Sequence, residues 1–275
     1  MKNKPIFIIG AERSGTTLLR IILASHSNIC IAPESKFMLR LYPEYRDMKN
    51  RDDVKHFIDD LGSDHFFKMW KLDIDLIKNE LFEIDEINYT NIVSKIYRLY
   101  AENEHKEIWG DKNPGYTLKV KNIFEIFPCS KFIHIIRDGR DCVVSLRETE
   151  WGEKNIKAAA KKWVKFVQAG NDAKENFPDK ILEIKYEALV KDSKNTINDI
   201  CSFLGLSYEP EMLDFYRNNK KQLLVPLEHQ AFHKNTFKPI MDSRVGRWQY
   251  LLSKKEIKIV QNIQKILLKD NGYCY

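Results

Sequence analysis

The part of this chain that most constrains its fold is the first apolar run together with the turn and helix start after it. Ile6-Phe7-Ile8-Ile9 has the pattern of a short buried strand, Gly10 ends it, and Leu18, Leu19, Ile22 and Leu23 then recur at helical spacing. A buried strand that turns tightly into a helix aims successive backbone N–H groups, and the positive end of the helix dipole, at one point. Gly15 lets the backbone approach whatever sits there, and Ser14, Thr16 and Thr17 add hydroxyl donors. Such a loop is built to take an anion, and the agreement of strand, turn, hydroxyls and helix points to phosphate.

The strand–helix alternation recurs. Lys131–Ile136 and Ile181–Ile184 are short apolar runs rich in β-branched residues, the first followed by Val143, Val144 and Leu146 and the second by Leu189. Alternation of this kind predicts an α/β fold, a central parallel sheet with helices on both faces. Residues 36–106 read differently: they lack convincing strands and carry helical patterns at about Asp52–Leu61, Ile74–Phe82 and Thr90–Asn103. They are expected to form a helical insertion over the ligand-binding edge of the sheet. Further helices are expected at about Asn155–Asn176 and Ser253–Lys269, with an irregular loop over Gln222–Gly246. A length of 275 residues with 43% hydrophobic residues suits one domain over the whole of 1–275.

Gly10 and Gly15 have the spacing of a P-loop, with Thr17 at its Ser/Thr position, but the lysine position holds Thr16. A triphosphate site would lack the cation that reaches its terminal phosphates; the cation here is Arg13. The second strand delivers a comparable device. Arg137 stands at its end, Asp138-Gly139 turns into a helix, and Ser145 comes later on that helix. A planar guanidinium with a hydroxyl suits phosphate, and open α/β sheets bind ligands at the carboxyl ends of their strands.

Together these stretches resemble the sulfotransferases that use 3′-phosphoadenosine 5′-phosphosulfate. Arg13-Ser14-Gly15-Thr16-Thr17-Leu18-Leu19 is similar to their 5′-phosphosulfate loop, in the Arg-Ser-Gly-Thr-Thr form of the tyrosylprotein and carbohydrate branches. Arg137-Asp138-Gly139-Arg140-Asp141 with Ser145 resembles their 3′-phosphate motif. Val245-Gly246-Arg247-Trp248, after Arg244, resembles a shortened form of the C-terminal element that closes over the nucleotide, and Tyr186-Glu187 matches a Tyr-Glu after the corresponding strand. The resemblance implies a P-loop-like three-layer fold and a donor site made by Arg13, Ser14, Gly15, Thr16, Thr17, Arg137, Ser145, Tyr186, Arg244, Gly246 and Arg247. It also implies sulfuryl transfer to an acceptor hydroxyl; residues 36–106 match nothing specific in the family and are expected, from their helical pattern, to form an acceptor-side lid.

Sulfuryl transfer needs a base for the acceptor and neutralisation of charge on the leaving phosphate. Glu34 stands 21 residues after Arg13, which matches the catalytic glutamate of the tyrosylprotein branch. Lys112, in Asp111-Lys112-Asn113-Pro114, resembles the family's Lys-x-Pro element. The expected catalytic set is therefore Glu34, Arg13 and Lys112, with Lys36 at a basic position near the glutamate. His134 lies inside a strand and is expected in the core, His26 at or near the end of the first helix, and His229 and His233 are reserve bases.

The acceptor stays open among saccharide, lipid, peptide tyrosine and small alcohols. Two other classes share the loop: a P-loop kinase of a small molecule or nucleotide, and a non-catalytic nucleotide-binding protein. Cys30, Cys129, Cys142, Cys201 and Cys274 are scattered and form no metal-binding pair, so neither a disulfide framework nor a metal is expected. A formal net charge of +6 is too small and dispersed to argue for nucleic acid. The first apolar run is too short for a membrane span or a signal core, so the expectation is a cytoplasmic protein without a transmembrane segment. The sequence specifies no oligomeric state.

Overall fold

The computed structural model describes residues 4–217 and 236–274. Its centre is a parallel sheet of five strands: β1 (Ile6–Ile9), β2 (Ile29–Ile31), β3 (Ile108–Lys112), β4 (Lys131–Ile136) and β5 (Ile181–Lys185). The spatial order is β2-β3-β1-β4-β5, with every neighbouring pair parallel. β1 is therefore central, and connections run off to opposite sides of it, which opens the crevice where α/β sheets bind ligands.

Helices cover both faces, which explains why β1 and β4 read as continuous apolar runs. On one face Ile6, Ile8, Ile133 and Ile135 pack with α1 (Thr16–Ala24) and, from later in the chain, with α11 (Tyr186–Lys191) and α12 (Ser193–Leu204). On the other, Phe7, Ile9 and Phe132 meet an aromatic core shared with residues 37–103. That stretch is helical: α2 (Phe37–Arg40), α3 (Tyr42–Tyr45), α4 (Arg51–Ser63), α5 (His65–Lys68), α6 (Ile74–Phe82) and α7 (Tyr89–Asn103). α7 seats it on the sheet by stacking Tyr97 on Trp109, ring centroids 4.3 Å apart. α8 (Val120–Ile126), α9 (Gly139–Arg147), α10 (Ile156–Asn176), α13 (Trp248–Leu251) and α14 (Lys254–Asp270) complete the outer layers. The architecture is the expected P-loop-like α/β fold.

The helix starts coincide with their caps. Asn50 and Ser253 each form a capping box with the residue three positions on, and Asn155 accepts from the first N–H groups of α10. β3 is the strand that the apolar pattern did not announce, because Gly110, Asp111 and Lys112 break it. Gly110 is required there: a Cβ would stand 2.4 Å from the Ile6 carbonyl oxygen and 2.6 Å from Ile31 Cδ1. All five cysteines are free thiols. Among the described residues no helix is long and apolar enough to cross a membrane.

Candidate active site

The loop from β1 to α1 takes positive φ at three places: Gly10 (152°), Arg13 (68°) and Gly15 (104°). A Cβ on Gly15 would lie 2.6 Å from the Tyr186 ring, and one on Gly10 would lie 2.5 Å from the Ile135 carbonyl oxygen, so neither position accepts a side chain. Arg13 occupies the left-handed region at a steric cost of about 1–2 kcal/mol, the kind of local strain that clusters at ligand sites. The loop is tied down by Ser14, whose backbone N–H and hydroxyl both donate to the Ala11 carbonyl at 3.1 and 2.7 Å. Gly10 N–H donates to Thr117 Oγ1 at 2.9 Å. Thr16 and Thr17 begin α1, so their N–H groups lie in its first turn.

Guanidinium groups gather beside this loop. Arg137, 4% exposed at the end of β4, donates to the carbonyls of Arg13 (3.1 Å) and Arg244 (2.5 Å), and it lies 4.4 Å over the Tyr186 ring. Arg13 Nε donates to Ser145 Oγ at 3.1 Å, which joins the first loop to the second motif. Burial, together with the charges of Arg137 and Arg244, holds the Arg13 guanidinium below its ordinary value. Like charges forced together in this way mark a place that an anion would relieve. Arg137 Nε is buried with no hydrogen-bond partner among the described residues, an orphan donor that a phosphate oxygen would satisfy. The residues present therefore fit a ligand that carries phosphate.

Asp141 and Glu148 fix the C-terminal element against this cluster. Asp141 accepts from the N–H groups of Gly246 (2.7 Å) and Trp248 (2.9 Å). Arg140, paired with Asp138 at 2.8 Å, stacks 3.9 Å from the Trp248 ring centroid. Glu148 pairs with Arg247 and lies 3.7 Å from Arg244. Although burial opposes it, the hydrogen bond and charge of Arg247 hold the Glu148 carboxyl below its ordinary range, with Arg244 and Arg13 adding to the effect. Sequence reasoning assigned no role to Asp141 or Glu148; only Asp141's place in the second motif could have flagged either of them.

A second group stands across β1, at the ends of β2 and β3. Lys112 Nζ meets Glu34 Oε2 at 2.5 Å; the lysine side chain is 6% exposed and the carboxylate 32%. Beneath the pair Asp111 is fully buried and accepts from Tyr97 (2.5 Å), Tyr116 (2.6 Å) and the Lys112 N–H (2.7 Å). Burial pushes the Asp111 carboxyl up to about 6 against the lowering effect of those bonds. β3 and β4 both flank β1, so their ends stand roughly 10 Å apart at ordinary strand spacing. The Gly10–Thr117 bond links the two groups.

Lys36 is exposed and lies 4.7 Å over the Phe66 ring. His134 is buried in β4 with Nδ1 3.3 Å from Glu183, and His26 is buried after α1 with Nε2 3.1 Å from the Ser207 carbonyl. His229 and His233 lie outside the described residues.

Comparison with known proteins places this geometry in context. The chain is 26% identical over 255 residues to an uncharacterized protein of Aquifex aeolicus, an alignment that covers 90% of this chain and 30% of that protein. It is 24% identical over 252 residues to a Drosophila melanogaster protein-tyrosine sulfotransferase, covering 88% and 46%. It is 23% identical over 280 residues to the omega-hydroxy-beta-dihydromenaquinone-9 sulfotransferase of Mycobacterium bovis, covering 81% and 71%. The chain thus spans less than half the length of the first two. The sulfotransferase domain of the Synechococcus PCC 7002 olefin synthase shares the fold, with a TM-score of 0.67, 20% identity and 94% coverage of each chain. The profile of the family described as "Sulfotransferase family" matches residues 5–210, and the chain belongs to that family.

Proposed function

We propose that the protein transfers a sulfuryl group from 3′-phosphoadenosine 5′-phosphosulfate to an acceptor hydroxyl. The carrying observation is the convergence of Arg13, Arg137 and Arg244 beside a phosphate loop whose lysine position holds Thr16, with an orphan donor on Arg137. Ser14, Gly15, Thr16 and Thr17 would hold the 5′-phosphosulfate. Arg137 and Ser145 would hold the 3′-phosphate, and Tyr186, Arg244, Gly246 and Arg247 would close around the nucleotide. Glu34 takes the acceptor proton, while Arg13 and Lys112 hold the charge that builds on the leaving phosphate. The Lys112–Glu34 pair keeps both groups in place before substrates arrive. When Lys112 turns to the donor, the Glu34 carboxylate is left free to accept the acceptor's proton.

Residues 36–106 we assign to the acceptor side of a single domain covering 1–275. Two relatives are named for acceptors as different as a protein tyrosine and a hydroxylated menaquinone. That difference supports placing acceptor choice in this helical stretch rather than in the shared donor site.

Thermal unfolding with nucleotides tests the reading. Adenosine 3′,5′-bisphosphate at about a hundred times its dissociation constant should stabilise the fold by about 2.7 kcal/mol. The 2′,5′ isomer should do less, and Arg137→Ala should abolish the shift. A larger shift with ATP–Mg²⁺ than with the bisphosphate would favour a kinase instead.

A further inference from the structure

Beyond the last β2–β3 ladder bond, from the Ala32 N–H to the Gly110 carbonyl at 3.3 Å, the backbone that carries Glu34 is held by side chains. The carbonyls of Ile31 and Ala32 both accept from Arg20 Nη1 at 3.2 Å. The Pro33 carbonyl accepts from the Trp70 indole N–H at 3.0 Å, and the Ser35 carbonyl from Asn113 Nδ2 at 3.0 Å. Carbonyls on both sides of Glu34 are thus fixed by donors from α1, from the segment after α5, and from the segment after β3.

Arg20 is an expensive way to fill its position. It is 3% exposed, on a helix whose neighbouring residues Leu19, Ile21, Ile22 and Leu23 are fully buried and apolar. An apolar residue of similar size would pack there without removing a guanidinium from water, a penalty of several kcal/mol. Burial lowers its basicity, and the groups facing it are Tyr100, Glu34, Cys30 and Asp111. Its charge serves the two carbonyls that lead to Glu34. Trp70 reaches the same segment from the helical stretch, where its ring is wedged among Phe37, Tyr97 and Tyr100 at centroid distances of 5.7, 5.0 and 5.0 Å.

We propose that Arg20 and Trp70 are positioning residues for Glu34, fixing backbone 31–35 so that the carboxylate is presented beside Lys112, without touching donor or acceptor themselves. The proposal rests on the assignment of Glu34 as the base.

Single-turnover release of labelled sulfate from labelled donor, with water in the acceptor's place, tests it. The proteins compared are wild type, Glu34→Gln, Arg20→Lys, Trp70→Phe, and each of the last two combined with Glu34→Gln. Lysine keeps the charge, but its nitrogen ends one atom short of the point from which Arg20 Nη1 serves both carbonyls. Phenylalanine keeps a smaller aromatic ring among Phe37, Tyr97 and Tyr100 and loses the N–H, so Trp70→Phe carries the test if Arg20→Lys does not fold. Arg20→Lys should slow release about 10²-fold and Trp70→Phe about tenfold, the scale set by small misplacements of a reacting group. The dissociation constant for adenosine 3′,5′-bisphosphate should stay within about twofold of wild type, because neither residue touches the donor. Each double variant should be no slower than Glu34→Gln alone. Wild-type rates in Arg20→Lys and Trp70→Phe beside a slow Glu34→Gln would overturn the proposal, as would losses that multiply in full with Glu34→Gln. A normal rate in Glu34→Gln would instead remove the base assignment on which the proposal stands.

Discussion

Lys112 and Glu34 share one short contact but not one environment: the lysine is buried and the carboxylate a third exposed. That asymmetry sets what each substitution should do. Glu34→Gln leaves an amide oxygen for the buried ammonium, so the fold is kept while the proposed base is lost. Turnover should fall about 10²–10⁴-fold with little change in donor affinity. Lys112→Ala leaves only a carboxylate that water can reach, and should slow turnover about 10²–10³-fold. Steady-state rates with a working acceptor, alongside nucleotide affinity, check both. Asp111 behaves differently because it is wholly buried. Its folded carboxyl holds the proton to about pH 6 rather than 3.8, so between those values the folded state binds more protons than the unfolded state. Its contribution to stability therefore falls as pH rises through that window. Relative to Asp111→Asn, wild-type stability should drop by on the order of 3 kcal/mol from about pH 4 to about pH 7. Urea denaturation of both proteins across that range measures it, and a flat difference would show an ordinary carboxyl.

At the scale of elements, glycines decide where strands and loops can run. Gly15 combines a left-handed φ of 104° with the Tyr186 ring where a Cβ would go. Gly15→Ala should displace either the phosphate loop or Tyr186, and so abolish nucleotide-induced stabilisation in a thermal shift assay. Gly110→Ala would push a methyl into the Ile6 carbonyl between two hydrogen-bonded strands, at a cost of about 3 kcal/mol in chemical denaturation. The elements legible in the sequence were those whose period matched their burial. β1, β4, the helix Ile74–Phe82 and the capped starts of α10 and α14 fall where the apolar pattern and cap residues put them. β3 was hidden because its polar residues are satisfied only in three dimensions: Tyr97 and Tyr116 come from a helix and a turn to bond Asp111.

For the whole molecule, the proposed donor site is supplied by parts distant in sequence. Arg13, Arg137 and Arg244 meet because β1 and β4 are neighbours and the C-terminal element is pinned by Asp141. Positioning and fixed positive charge are what this assembly would offer a sulfuryl group, so the proposed transfer should proceed at full rate in EDTA. Loss of activity in the chelator, restored by Mg²⁺, would return the kinase reading.

The sequence by itself determined the class of fold and pointed to an anionic ligand. A strand that must be buried, a turn that needs glycine at Gly10 and Gly15, and a helix start are local properties, and together they make a loop suited to an anion. Local spacing also named Glu34, Lys112, Arg137 and Ser145 as candidates. Which of these meet was decided by tertiary structure alone. The Lys112–Glu34 contact, the Arg13–Ser145 bond and the hold of Arg20 and Trp70 on the backbone leading to Glu34 depend on strand order. Strand order is fixed by packing among residues far apart in the chain, and no local pattern of residues encodes it.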